Sequence, residues 1–104
     1  MDLELQGKVA IVTGGSKGIG RSIAQHLSEE EVKVVICARD ANVLESTAKE
    51  ISAQTGGDVS AVRADMTSTP DVENLIEETI KKYGRIDILV NNAAMVGGKV
   101  APNI

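Results

Sequence analysis

Hydrophobic positions in this chain follow two alternating patterns. Short segments rich in Val, Ile and Ala occupy residues 8–13, 32–38, 58–64 and 86–91. The stretches between them repeat an apolar residue every three or four positions. A short apolar run suits a strand buried on both faces, whereas i, i+3, i+4 spacing suits a helix with one buried face. Four strands are therefore predicted over those segments, with helices over 18–30, 41–54 and 70–83. The first helix puts Ile19, Ile23 and Leu27 on one face, and the second Leu44, Ala48 and Ile51. The third is clearest, with a stripe of Val72, Leu75, Ile76, Thr79 and Ile80. Gly56-Gly57 and Gly84 are stop signals for the last two helices. Asp40 suits the N-cap of the second.

Uninterrupted strand–helix alternation predicts an α/β fold on a doubly wound parallel sheet. Right-handed crossovers build the second and third strands outward on one side of the first. The next connection then crosses back, giving β-α-β-α-β-α-β with strand order 3-2-1-4. Such sheets bind ligands at the switch point, here between the first and fourth strands. With 104 residues and no linker, repeat or low-complexity stretch, the chain makes one domain at most.

Composition narrows the picture further. Phe and Trp are absent and Tyr83 is the one tyrosine, so the core must be aliphatic. A formal charge of −4 without a basic cluster makes nucleic acid and anionic membranes poor partners. The lone Cys37 sits in an apolar strand as a small hydrophobe. His26 has no ligand-type neighbour at metal-binding spacing, so no metal is expected. The start, Met1-Asp2-Leu3-Glu4, is acidic without an apolar signal region, and no run approaches membrane-spanning length. A cytoplasmic location is expected.

The chemistry concentrates at Thr13-Gly14-Gly15-Ser16-Lys17-Gly18-Ile19-Gly20, between the first strand and the first helix. A strand that stops at glycines and restarts as a helix aims free N–H groups at one point, at the positive end of the helix dipole. Gly14 suits a positive-φ turn, Gly18 lets the backbone approach a pyrophosphate, and Gly20 lets the helix pack against the strand. Asp65 follows the third strand, and Asn91-Asn92-Ala93-Ala94 ends the fourth.

In its Gly-x-x-x-Gly-x-Gly spacing and in these two later motifs, the whole chain resembles the short-chain dehydrogenase/reductase family. The resemblance implies a Rossmann-type sheet and hydride transfer between a nicotinamide and a carbonyl or alcohol. It implies a cofactor site of Gly14, Gly15, Ser16, Lys17, Gly18, Ile19, Gly20, Arg39, Asp65, Met66, Asn92 and Ala93, with Asp65 meeting the adenine. Two positions depart from the family pattern. Ala94 stands where the Asn-Asn-Ala-Gly motif has glycine, and Glu31 stands where a glycine usually ends the first helix. If Glu31 needs positive φ, the cost is roughly 1 kcal/mol.

Asp40 lies twenty residues after Gly20, the spacing of an acid that binds the ribose of NAD. In the family, however, the discriminating acid ends the second strand, and here that residue is Ala38. Arg39 follows, and a guanidinium there can fork onto a 2′-phosphate. Lys17 adds a second cation, so NADP(H) is expected over NAD(H).

The family's proton donor is a tyrosine with a lysine four residues on, and Tyr83 is followed at that distance by Asp87. No Tyr-x-x-x-Lys occurs, so residues 1–104 read as a partial cofactor-binding domain ending before the catalytic segment, inactive alone. A small-molecule carbonyl or alcohol is then a partner of the complete enzyme only. Self-association through the strand at 86–91 is expected of the isolated chain. One alternative is a free-standing dinucleotide-binding module without catalysis. A more remote one is a phosphate-loop NTPase, since residues 15–22 fit that loop with Arg21 replacing its lysine.

Overall fold

The structure is a computed structural model that describes residues 3–92. After a short 3-10 turn at Leu3–Leu5, three strand–helix pairs and a last strand follow in order. They are β1 (Val9–Thr13), α1 (Gly18–Glu29), β2 (Lys33–Ala38), α2 (Ala41–Thr55), β3 (Val59–Arg63), α3 (Thr69–Tyr83) and β4 (Ile88–Asn91). All pairings are parallel and the strand order is β3-β2-β1-β4, the expected 3-2-1-4. Every predicted element is present, with ends shifted by at most two residues. No helix among the described residues is long and apolar enough to cross a membrane.

The two central strands explain the apolar runs. Val9–Thr13 is buried throughout, as are residues 34–37 of β2. Alternate residues feed two separate cores, because successive side chains on a strand point to opposite faces. On one face Ala10, Val12, Val34 and Ile36 pack with Ala24 of α1 and Leu44, Ala48 and Ile51 of α2. On the other, Ile11, Val35 and Cys37 pack with Leu75 of α3 and Ala64. Burial pushes the Cys37 thiol up to about 11, against a smaller opposing effect of the Gly14 backbone.

Three local details differ from the periodicity argument. Strand β4 begins at Ile88 rather than residue 86, because Asp87 occupies the first ladder position with its side chain. The Val9 N–H donates to Asp87 Oδ2 at 2.9 Å, while the Asp87 N–H donates to the Val9 carbonyl at 2.8 Å. Ile19 does not share the buried face of Ile23 and Leu27; it is 72% exposed, in the first turn of α1. The α3 stripe also divides. Leu75 and Thr79 are buried, whereas Ile76 and Ile80 are 45% and 43% exposed. Leu89, in register with Ile11 on the same sheet face, is 61% exposed. Only α3 covers this face among the described residues, and β4 pairs on one side only.

The ends of α2 and α3 follow the sequence: Asp40 and Ser68 cap the starts, and Gly56 and Gly84 close the ends. The end of α1 is strained. The Val32 N–H donates to Leu27 O at 3.1 Å and the Glu31 N–H to Ser28 O at 3.0 Å, the two bonds of a Schellman motif. That motif needs a left-handed residue at the first position past the cap, and Glu31 adopts it, with φ 67°. A side chain in this conformation costs about 1–2 kcal/mol.

Glu31→Gly is therefore expected to stabilise the fold. Relief of strain exceeds the extra freedom that glycine gives the unfolded chain, leaving a net gain of about 0.5–1 kcal/mol. Chemical denaturation should show a higher midpoint with an unchanged slope; a lower midpoint would contradict the assignment of strain.

Candidate functional site

The C-terminal edge of the sheet is drawn together at the junction of β1, β4 and α1. Gly14 has φ +67°, and a Cβ there would lie 3.0 Å from the Asn92 carbonyl oxygen and 3.3 Å from its Nδ2. A Cβ on Gly20 would run into the Gly14 carbonyl and lie 2.9 Å from Asn92 Nδ2. Glycine at both positions lets the first turn of α1, the end of β1 and Asn92 occupy one small volume.

Thr13 ties the two strands at that point. It is buried, its hydroxyl donates to Asn91 Oδ1 at 3.1 Å, and its Oγ1 accepts from the Asn92 N–H at 2.9 Å. The loop that follows is pinned to β2. The N–H groups of Gly14 and Gly15 donate to the Cys37 carbonyl at 2.8 and 3.3 Å, and Gly15 rests on Ile36, where a Cβ would come within 2.8 Å. The need for glycine at position 15 comes from β2, and spacing within the loop alone could not indicate it.

Beyond Gly15 the loop reaches α2. The buried Thr47 donates from Oγ1 to the Ser16 carbonyl at 3.0 Å. Sequence reasoning missed this residue, because a threonine in mid-helix carries no local signal for a contact thirty-one positions away. Lys17 follows at the N-cap position of α1 and makes no side-chain cap, unlike Asp40 and Ser68 on the other two helices. The first N–H groups of α1 have no acceptor within their own helix. Gly18 and Ile19 stand exposed there, with open space above Gly18.

The remaining candidates lie along the same edge. Strand β2 ends at Ala38, and Arg39 is exposed just beyond it. The Arg39 carbonyl accepts from Arg63 Nε at 3.1 Å, and Arg63 is itself paired to Asp71 at 2.8 Å. Among the described residues neither the Lys17 ammonium nor the Arg39 guanidinium enters an ion pair. Asp65 accepts the Thr67 hydroxyl at 2.6 Å and the Thr67 N–H at 2.9 Å. These bonds, assisted by Arg39 and Arg63, hold its carboxyl below the usual carboxylate range. Met66 is 41% exposed, its sulfur 4.0 Å from Cys37 Sγ. Ala93 and Ala94 lie outside the described residues.

Arg21, the residue on which a phosphate-loop NTPase would depend, is committed elsewhere. Its guanidinium pairs with Glu50 of α2 at 2.8 Å, away from the loop. His26 is exposed and its Nδ1 meets the Ser22 carbonyl at 2.8 Å. No group of metal-ligating side chains occurs among the described residues.

The fold is shared with known proteins. Residues 8–104 match the short chain dehydrogenase family. An uncharacterized oxidoreductase of Staphylococcus saprophyticus is 46% identical over 94 residues, which span 90% of this chain and 40% of that protein. The RhlG/NADP active-site complex of Pseudomonas aeruginosa superimposes with a TM-score of 0.79 at 47% identity, over 86% of this chain and 36% of that one. A hydroxysteroid dehydrogenase from Escherichia coli gives a TM-score of 0.85 at 38% identity, over 98% and 43%. This chain thus spans well under half the length of the proteins it matches.

Tyr83 lies at the other edge of the sheet. Its hydroxyl donates to Asp58 Oδ1 at 2.8 Å and meets Ser60 Oγ at 2.9 Å, at the start of β3. The ammonium groups of Lys82 and Lys33 stand 5.5 and 5.8 Å from its ring centre. Burial, with a lesser push from Asp58, raises the phenol to about 12 despite the Ser60 bond. The unfolded phenol ionises near 10, so the neutral form is favoured by folding below that pH. This contribution is lost as pH rises from about 10 through about 12. As Tyr83 is the sole tyrosine, ultraviolet titration reads it directly. The native chain should ionise near 12 and the denatured chain near 10; one shared midpoint near 10 would show the phenol to be free in solvent.

Proposed function

This chain belongs to the short-chain dehydrogenase/reductase family, and from that premise we propose that it is the cofactor-binding half of an NADP(H)-dependent oxidoreductase. The parent enzyme moves hydride between a nicotinamide and a carbonyl or alcohol. One observation carries the reading: α1 alone of the three helices starts without a side-chain cap, over two glycines packed too tightly for a Cβ. Open N–H groups at the positive end of a helix dipole suit the pyrophosphate of a dinucleotide.

In this reading Gly14, Gly15, Ser16, Gly18, Ile19 and Gly20 form the cradle, and Asn92 and Ala93 border the nicotinamide side. Asp65 and Met66 flank the adenine. Lys17 and Arg39 hold the 2′-phosphate; that neither enters an ion pair among the described residues supports that role, as does an NADP complex among the matched structures. The bound nicotinamide supplies or accepts the hydride, and the proton must come from a group near the same carbonyl. Tyr83 sits at the opposite sheet edge beside Asp58 and Ser60, so residues 1–104 alone are expected to give no turnover.

Titration of the parent polypeptide with both nucleotides tests the cofactor reading. NADPH should bind more tightly than NADH, and Arg39→Ala should weaken NADPH by about 1.5–3 kcal/mol, the worth of a charge-assisted contact, while sparing NADH. Equal affinities, unchanged in Arg39→Ala, would contradict it.

The 104-residue chain by itself should self-associate. The side of β4 left unpaired among the described residues and the apolar band of Leu89, Ile76 and Ile80 offer both a strand edge and an apolar patch. Sedimentation should show concentration-dependent oligomers that Leu89→Lys reduces; a monodisperse monomer with a sharp unfolding transition would oppose this.

A further inference from the structure

Thr47 is an unusual threonine in this chain. It lies in the interior of α2, 2% exposed, where a β-branched residue is a weaker helix former than alanine. The hydroxyls of Thr55 and Thr79 turn back onto their own helices, donating to the carbonyls of Ile51 and Leu75 four residues earlier. Thr47 instead sends its hydroxyl across to the glycine loop, donating to the Ser16 carbonyl at 3.0 Å.

We infer that Thr47 is a positioning residue for cofactor selection: by holding the Ser16 carbonyl it sets where Lys17 stands relative to Arg39. The inference rests on the NADP(H) reading above. Gly15 is anchored on β2 through Ile36 and the Cys37 carbonyl, and Ser16 is anchored on α2 through Thr47. Lys17 is the first residue beyond both anchors and is exposed. The Ser16–Lys17 peptide is planar and trans, so a Ser16 carbonyl turned toward α2 turns the Lys17 N–H away from it. The same helix begins at Ala41 with its N-cap at Asp40, directly after Arg39. Two turns of one rigid helix, about 10 Å, thus join the point where Arg39 departs to the anchor that orients Lys17. Two cations on separate loops can share one phosphate only if their separation is held, and α2 holds it.

Dinucleotide titrations of the parent polypeptide test this. Thr47→Val keeps the shape and removes the donor; it should raise the Kd for NADPH about three- to tenfold, the range of one lost hydrogen bond, and leave the Kd for NADH within about twofold. Thr47→Ser keeps the donor and should preserve the preference, which also guards against a valine variant that fails to fold. In a Lys17→Ala background, Thr47→Val should no longer alter the ratio of the two affinities, because the positioned residue is gone. A wild type that prefers NADPH, with Thr47→Val weakening both nucleotides equally or neither, would overturn this inference alone. Loss of the preference in Thr47→Ser would do the same. A wild type that binds both nucleotides equally would overturn the cofactor reading and this inference with it.

Discussion

The first turn of α1 meets the end of β1 at Gly20, which stands against the Gly14 carbonyl with no room for a side chain. Most of the C-terminal edge depends on that contact. It brings the helix start directly over the switch point between β1 and β4, and it leaves Asn92 packed against both glycines. A single added carbon would push backbone against backbone, which no rotamer change relieves. The open N–H groups of α1 are therefore a product of packing as much as of helix chemistry.

The surroundings keep that junction in place by bonds from three elements. Thr13 joins β1 to β4, the Cys37 carbonyl of β2 takes the N–H groups of Gly14 and Gly15, and Thr47 of α2 takes the carbonyl of Ser16. Thr13, Cys37 and Thr47 are buried, so each bond is partly sheltered from competing water, and leaving one unmade would strand a polar group at a cost of about 1–3 kcal/mol. Only from Lys17 onward does the loop turn to solvent. The loop is bonded to three elements underneath and carries an exposed cation above, properties that suit an anion.

Much of this was legible in the residues. The strand segments, helix periods, glycine stops and the Asp40 cap follow from local rules, and right-handed crossovers led to the observed strand order. The positive φ of Glu31 was legible only as a condition, through the family resemblance that puts a glycine there; the Schellman bonds that require it belong to the structure. What escaped sequence reasoning was tertiary. Gly15 is glycine because of Ile36, and Thr47 matters because of Ser16; neither relation has a sequence period. Ile19 fits the helical stripe by spacing, yet it is exposed in the first turn of α1 and joins neither core among the described residues. Ile76 and Ile80 follow the same stripe as Leu75 but face the side of α3 that no described element covers.

On the proposed reading, a dinucleotide phosphate docks at the start of α1, at the switch point. Amide chemical-shift mapping of the isotope-labelled parent polypeptide during NADPH titration tests it most directly. The amides of Lys17, Gly18, Ile19 and Gly20 should move first and furthest, while those of Asp58, Ser60 and Tyr83 at the opposite edge stay still. Saturable binding that shifts the Asp58–Ser60 edge and leaves residues 17–20 unmoved would contradict it.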